Sequence, residues 1–247
     1  MERTAIFVDG AFFIKRALRI FGPLSPSELA HNLWKYSLYH LYHRPPSGSL
    51  PDDPQAVEKL YRIFFYDCPP MSKKIEHPLT GKQIDFAKSE RAIWRLGLHE
   101  ELRKKRKVAL RLGCVDDTNF AWTISNDNVK KLCKKKICID DLSESDITLN
   151  TKQKGVDMRI GLDIASIAYK KQATKIVLLS GDSDFVPAAK LARREGIDFV
   201  LDPMWAPIKP DLHEHIDGLR STFPRPVPRT APVILPPVPA TPVEPTP

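Results

Sequence analysis

The chain has 247 residues, of which 42% are hydrophobic and 28% charged, with a net charge of +8. That is enough apolar sequence for one α/β core of ordinary size, and it excludes fibrous and natively unfolded classes. No run approaches the roughly 18 apolar residues that span a bilayer, and MERTAIFVDG lacks a basic region followed by an apolar signal segment, so a cytoplasmic location and no membrane partner are expected.

Apolar runs alternate with helix-period segments, the pattern of a parallel sheet covered on both faces. Residues 4–8 (TAIFV) predict a first strand, followed by helices over 11–20 and 28–43. A second strand is expected over 60–66 (LYRIFFY), a helix over 88–105 and a third strand over 108–112 (VALRL). The stretch 114–155 holds KKLCKKK and SESD and reads as an irregular insertion with one short strand at Ile137 to Ile139. Beyond it, Val156, Ile160, Ile164, Ile167 and Ala168 recur near the 3.6-residue period and predict an amphipathic helix over 157–170. KIVLL (175–179) and IDFVL (197–201) supply a fourth and a fifth strand on either side of a helix over 186–195. After Phe223, ten of the last twenty-four residues are proline, a density that excludes helix and sheet. Residues 224–247 are therefore expected as an extended tail, either without a role or docking a proline-binding protein partner through PVILPPVP. Cys68, Cys114, Cys133 and Cys138 form no CxxC pair and have no histidine at finger-like spacing, which points to reduced, structural thiols.

In an open parallel α/β sheet the strand carboxyl ends and the amino ends of the following helices share one edge, where the site lies. Asp9 follows TAIFV directly, Asp182 and Asp184 follow KIVLL in SGDSDF, and Asp157 opens the helix that leads into that strand. Four carboxylates from three segments are thus expected in one crevice. At about 4 Å and an effective dielectric near 20, each like-charged pair costs on the order of 4 kcal/mol. A hard divalent cation offsets that cost: Mg²⁺ or Mn²⁺ prefers oxygen ligands and is held by a few carboxylates, water and substrate phosphate. Such an ion generates hydroxide and stabilises charge on a phosphoryl group, which suggests phosphodiester hydrolysis. Singly, each acid has a plainer role as turn former, helix cap or macrodipole partner. Asp163 lies about 9 Å along the helix from Asp157 and ranks second, as an outer metal ligand or an orienter of Arg or Lys. Asp67 also ends a strand at this edge, with an equal claim to a turn role.

TAIFVDG, RIFFYDCPP, QKGVDMRIGLDIA, KIVLLSGDSDFVPAAKLARREG and FVLDPM together resemble the NYN domains of the PIN-like nuclease superfamily, in the bacterial branch related to LabA-like proteins. The resemblance runs from about residue 3 to about 218, with gaps at 21–59 and 114–150, so the NYN domain is expected within residues 1–223. It implies a three-layer α/β/α PIN-like fold with a mostly parallel central sheet, aspartates binding Mg²⁺ or Mn²⁺, and endoribonuclease activity in the active members. By motif it assigns Asp9, Asp157, Asp182 and Asp184 as catalytic and metal-binding residues, with Asp163 at a position that is often Asp. The sequence departs from the DGxN pattern at Phe12, where many members carry Asn.

The basic balance favours an anionic partner, with RNA the expected substrate and other single-stranded nucleic acid kept open. Lys152 and Lys154, just before Asp157, are candidates for phosphate contact, and RKKRK (103–107) and KKLCKKK (130–136) either extend that surface or form solvated helix faces. Asp9 and Asp182 are the expected direct ligands. Ser180 and Ser183 either position them or serve only as turn residues. A competing class is a catalytically silent nucleic-acid-binding or adaptor module that recruits partners through its tail. A phosphoester phosphatase fits less well, since Asp9-Gly10-Ala11 has no second aspartate for a DxD nucleophile.

Overall fold

The computed structural model describes residues 2–42, 58–116, 118, 120–151 and 153–226. The expected tail therefore lies outside the described residues from position 227 onward. Strand β1 (Arg3–Asp9) runs directly into helix α1 (Gly10–Phe21), and α2 (Pro26–Leu38) follows. Ser25 and Glu28 start α2 with a reciprocal capping box. The helix expected to reach residue 43 instead tightens at Tyr39–Leu41 into a 3₁₀ turn. Strand β2 (Lys59–Asp67) leads to a hairpin of β3 (Lys74–Glu76) and β4 (Gln83–Asp85), then to α3 (Glu90–Arg103) and β5 (Val108–Leu112).

Residues 114–154 are more regular than expected. They hold β6 (Cys114–Val115), β7 (Ala121–Ile124), α4 (Asn126–Cys133), β8 (Ile147–Asn150) and β9 (Gln153–Lys154). Strand β6 pairs with β9 and β7 with β8, both antiparallel. The strand expected at Ile137 to Ile139 does not form; Ile139–Asp141 is a 3₁₀ turn whose start is fixed by the Cys138 N–H donating to Asp141 Oδ2. Lysines precede that segment and leave Ile139 exposed, whereas AWTI and ITLN bring β-formers that face each other across a ladder.

The chain continues through α5 (Val156–Tyr169), β10 (Lys175–Leu179), α6 (Val186–Arg194), β11 (Asp198–Asp202), α7 (Pro210–His213) and β12 (Gly218–Leu219). The main sheet has six strands in the order β12-β11-β10-β1-β2-β5, parallel throughout. Alternation along β1 explains the layers. Ala5 and Phe7 pack with Ile160, Ile164, Val186 and Ala189 from α5 and α6, while Ile6 and Val8 pack with Phe13, Leu29, Leu33 and Leu98 from α1 to α3. Both faces of β1 are buried, as a central parallel strand requires. No helix among the described residues is long and apolar enough to cross a membrane.

The strand order reverses between β1 and β10: the chain builds outward through β2 and β5, then returns to build through β11 and β12. That is the topological switch point, where the loops leaving two adjacent strands diverge to opposite faces and open a crevice at the carboxyl edge.

Candidate functional site

Asp9 is the last residue of β1 and Ser180 the first after β10, and Val8 pairs with Leu179, so both residues stand at the mouth of the switch-point crevice. The turn into α1 is tight. A Cβ on Gly10 would lie 2.5 Å from the Tyr66 carbonyl oxygen and 2.8 Å from the Phe65 ring, so only glycine lets α1 start directly beneath Asp9. Asp9 caps that helix, its Oδ1 accepting from the Phe12 N–H at 3.1 Å. Ser180, fully buried, donates from Oγ to Asp9 Oδ2 at 3.4 Å and accepts from the Asp182 N–H at 3.2 Å. Asp182 Oδ1 in turn accepts from the Asp184 N–H at 3.1 Å. A chain of hydrogen bonds thus ties β1 to the SGDSDF loop.

The two acids of that loop differ in their backbone contacts. Asp182 caps the turn Ser183–Phe185, whereas α6 has no side-chain cap and the Asp184 carboxylate is left exposed. Asp157 enters from the first turn of α5, which packs beside α6 on the same face of the sheet, after Gly155 in the left-handed conformation with φ 77°. Burial lifts the Asp9 carboxyl to about 6, against the Phe12 hydrogen bond and with help from the charge of Asp157. Burial and then the charges of Asp182 and Asp184 lift Asp157 above its ordinary range. Asp157 therefore feels all three of the others. None of the four forms an ion pair among the described residues.

Other strand-ending acids contrast with these. Asp67, at the end of β2, is fully buried; burial pushes its carboxyl up, but His99 and Arg95 outweigh that and hold it below the usual range. Asp202, at the end of β11, is fully buried and accepts from His40 at 2.9 Å, the Met204 N–H at 2.8 Å and the Thr222 N–H at 3.2 Å. Both are structural anchors. Asp163 accepts from the Tyr66 hydroxyl at 2.7 Å and faces Arg111 Nε at 3.5 Å, the orienting arrangement.

Lys154 is exposed and ion-paired with Asp116, which raises its pKa, so its charge is already matched. Lys152 lies outside the described residues. The RKKRK run precedes β5 and so stands at the amino edge, opposite the carboxylates, with Arg103 and Lys104 paired to Glu100 and Glu101. The lysines of KKLCKKK are exposed on and after α4, in the lobe that leaves β5 and returns to α5 at the site edge. That lobe rests on the β3–β4 hairpin through Trp122 against His77, with ring centres 4.9 Å apart, and Lys82 against Glu144 at 3.8 Å.

Lys209 escapes sequence reasoning. It sits in the loop after β11 and donates from Nζ to Ser183 Oγ at 3.0 Å, placing an ammonium beside the aspartate loop. Its only sequence signal is that it follows a strand end of the same edge. Phe12, standing where Asn is frequent, orients Asp9 through its backbone while its ring covers Gly181; a Cβ there would meet Phe12 Cε2 at 3.1 Å.

Among the described residues no group of three or more His, Cys, Asp or Glu side chains closes around one point tightly enough to hold a metal ion alone. The donors are nevertheless all carboxylate oxygens with no ion pair among the described residues, and the proton affinities of Asp9 and Asp157 are raised. They fit a hard divalent cation that keeps several waters and shares its sphere with substrate phosphate, which needs only one or two direct carboxylates. A four-acid cage is not what the side chains form.

A six-stranded, all-parallel sheet between helical layers is consistent with a PIN-like α/β/α fold. The NYN domain family model, a family of PIN-like nuclease domains, matches residues 97–206. The matched segment takes in Asp157, Asp163, Asp182 and Asp184, while Asp9 lies before it. No curated protein matches the chain. A crystal structure of a protein of unknown function from Vibrio parahaemolyticus aligns over 90% of this chain and 95% of its own, at 13% identity and a TM-score of 0.44.

Proposed function

We propose that this protein is a metal-dependent endoribonuclease that hydrolyses RNA phosphodiester bonds at the carboxyl edge of its sheet. One observation supports the reading: Asp9, Asp157, Asp182 and Asp184 converge at the switch point with no ion pair on any of them among the described residues, and Asp9 is lifted to about 6. The strand-ending acids with an anchoring role, Asp67 and Asp202, are by contrast paired.

Asp9 and Asp182 are the residues to hold Mg²⁺ or Mn²⁺, with Asp157 and Asp184 completing the set through water. A bound cation supplies a more acidic water and stabilises charge on the phosphoryl oxygens. The chain's own residues do the rest. Ser180 and the Phe12 N–H fix both oxygens of Asp9, so the carboxylate arrives pre-oriented. Asp157, exposed and with raised proton affinity, takes the proton from the attacking water on a carboxylate oxygen. Lys209 binds a non-bridging phosphate oxygen of the strand beside Ser183. Asp163 and Tyr66 hold Arg111 in place near the end of β5.

The test is cleavage of single-stranded RNA and DNA with Mg²⁺ or Mn²⁺, with Asp182→Asn beside the wild type. The reading expects metal-dependent RNA cleavage lost at least 100-fold in the variant, a magnitude in line with the loss of one charge-stabilising group. Cleavage at equal rates by both proteins would refute it. One observation favours the silent binding module, namely the apolar Phe12 ring packed on Gly181 inside the motif loop. RNA binding without cleavage by any metal form would select that reading.

A further inference from the structure

We infer that Trp205 is a nucleobase-stacking residue, and that the loop 203–209 holds single-stranded nucleic acid by one unpaired base on this indole and a phosphate on Lys209. The inference rests on the nuclease reading for the place of the scissile bond, not for the contact itself.

Three independent observations meet in this loop. Met204 and Trp205 both have positive φ, 46° and 62°, although neither is glycine. Two consecutive left-handed residues of this bulk are strained and persist only because their surroundings fix them. Those surroundings are visible: the Met204 N–H donates to Asp202, its carbonyl accepts from Arg16, and the Trp205 N–H donates to Ser221 Oγ at 3.1 Å. The indole N–H, at 2.6 Å from the Phe223 carbonyl oxygen, locks the ring plane.

The ring is nevertheless open to solvent. Trp205 is 38% exposed even with the Arg225 guanidinium 4.4 Å from its centre. A rigid aromatic with one free surface and a cation beside it is the arrangement that binds unpaired bases without sequence preference. Tyr169 is also exposed, but it ends α5 at the amino edge, away from the site. Trp122 packs against His77 and Phe86, and the Trp94 indole N–H donates to the Leu24 carbonyl.

The loop leaves β11, whose Asp202 pairs with Leu179 of β10, the residue before Ser180. Three residues of chain and one strand spacing of about 4.8 Å put the Trp205 backbone no more than about 16 Å from Leu179. Lys209, at the other end of the loop, touches Ser183. The loop thus runs from the aromatic platform to the aspartates, with a base held at one end and a phosphate at the other.

The test uses the full chain in chelator, so that binding is read without cleavage. Labelled single-stranded RNA and a duplex of the same sequence are titrated against wild type, Trp205→Phe and Trp205→Gly. Glycine suits the left-handed backbone, so the second variant removes the ring without adding strain. The expected result is a loss of single-strand affinity of about 5- to 100-fold in Trp205→Gly, near-wild-type affinity in Trp205→Phe, and unchanged duplex binding. Quenching of tryptophan emission on RNA binding should be present in the wild type and diminished in Trp205→Phe. A merely structural Trp205 would lower thermal stability in both variants and leave the single-strand preference intact, which would overturn the inference, as would absence of RNA binding by the wild type. Trp205-dependent binding without cleavage in Mn²⁺ would leave the platform standing and remove the nuclease reading. Cleavage with Trp205→Gly binding like wild type would do the opposite.

Discussion

Asp9→Asn should make the metal-free protein more stable while removing its activity. The Asp9 carboxyl sits at about 6 in the folded chain against an ordinary value of 3.8, because burial and the charge of Asp157 disfavour its ionised form. At about 1.4 kcal/mol per tenfold change in proton affinity, that difference amounts to roughly 3 kcal/mol of strain carried by the ionised group. A folded value raised above the unfolded one means that the contribution is fully present below pH 3.8 and is lost as pH rises through 6. Asparagine keeps the hydrogen bond from the Phe12 N–H on its one amide oxygen, gives up the acceptor that Ser180 Oγ donates to, and carries no charge. In chelator above pH 7 the variant should therefore gain up to about 3 kcal/mol, or about 6–12 °C in Tm for a domain of this size. The gain should fade toward pH 4. Added Mn²⁺ should raise the Tm of the wild type and not of the variant. Calorimetric melts at pH 4.5 and 8, with and without Mn²⁺, decide it. Equal destabilisation of Asp9→Asn at both pH values would refute the reasoning, since it would make Asp9 an ordinary helix cap.

The remaining predictions bear on positions that frame the crevice. Asp67→Asn leaves Arg95 and His99 without their buried partner and should cost about 3–5 kcal/mol in chemical denaturation; a loss under 1 kcal/mol would contradict its anchoring role. Gly10→Ala drives a Cβ against the Tyr66 carbonyl and the Phe65 ring, so the yield of folded protein should fall sharply, and a well-folded, active variant would show that α1 has room to shift. Lys209→Gln should lower kcat/KM on RNA about 10- to 100-fold without changing Tm, the scale of one lost charged hydrogen bond; unaltered kinetics would take Lys209 out of the substrate path.

Much of this architecture is legible from the chain alone, because strands buried on both faces read as continuous apolar runs. TAIFV, VALRL and KIVLL fall within their strands, and α5 is found to one residue from its isoleucine spacing. What sequence does not resolve is which strand-ending acid is free. Asp9, Asp67 and Asp202 look alike in the chain, and only the arrival of Arg95 and His99 from α3, or of His40 and Thr222 from far along it, separates anchors from site. The two basic runs were equally opaque, since only strand direction sends RKKRK to the far edge. Lys209 and Trp205 lie in an irregular loop whose backbone is held by Arg16 and Ser221 and whose indole is held by the Phe223 carbonyl, contacts that no local pattern encodes. Residues 114–154 pair strands of two and four residues, too short for periodicity to register.

The most direct measurement is anomalous scattering from a crystal of the protein soaked in Mn²⁺ with a non-cleavable single-stranded RNA. The account predicts one manganese peak at the switch point, about 2.1 Å from a carboxylate oxygen of Asp9 and of Asp182, with the remaining positions taken by water and phosphate. A switch point without manganese, with the ion found instead among acids away from β1 and β10, would contradict it.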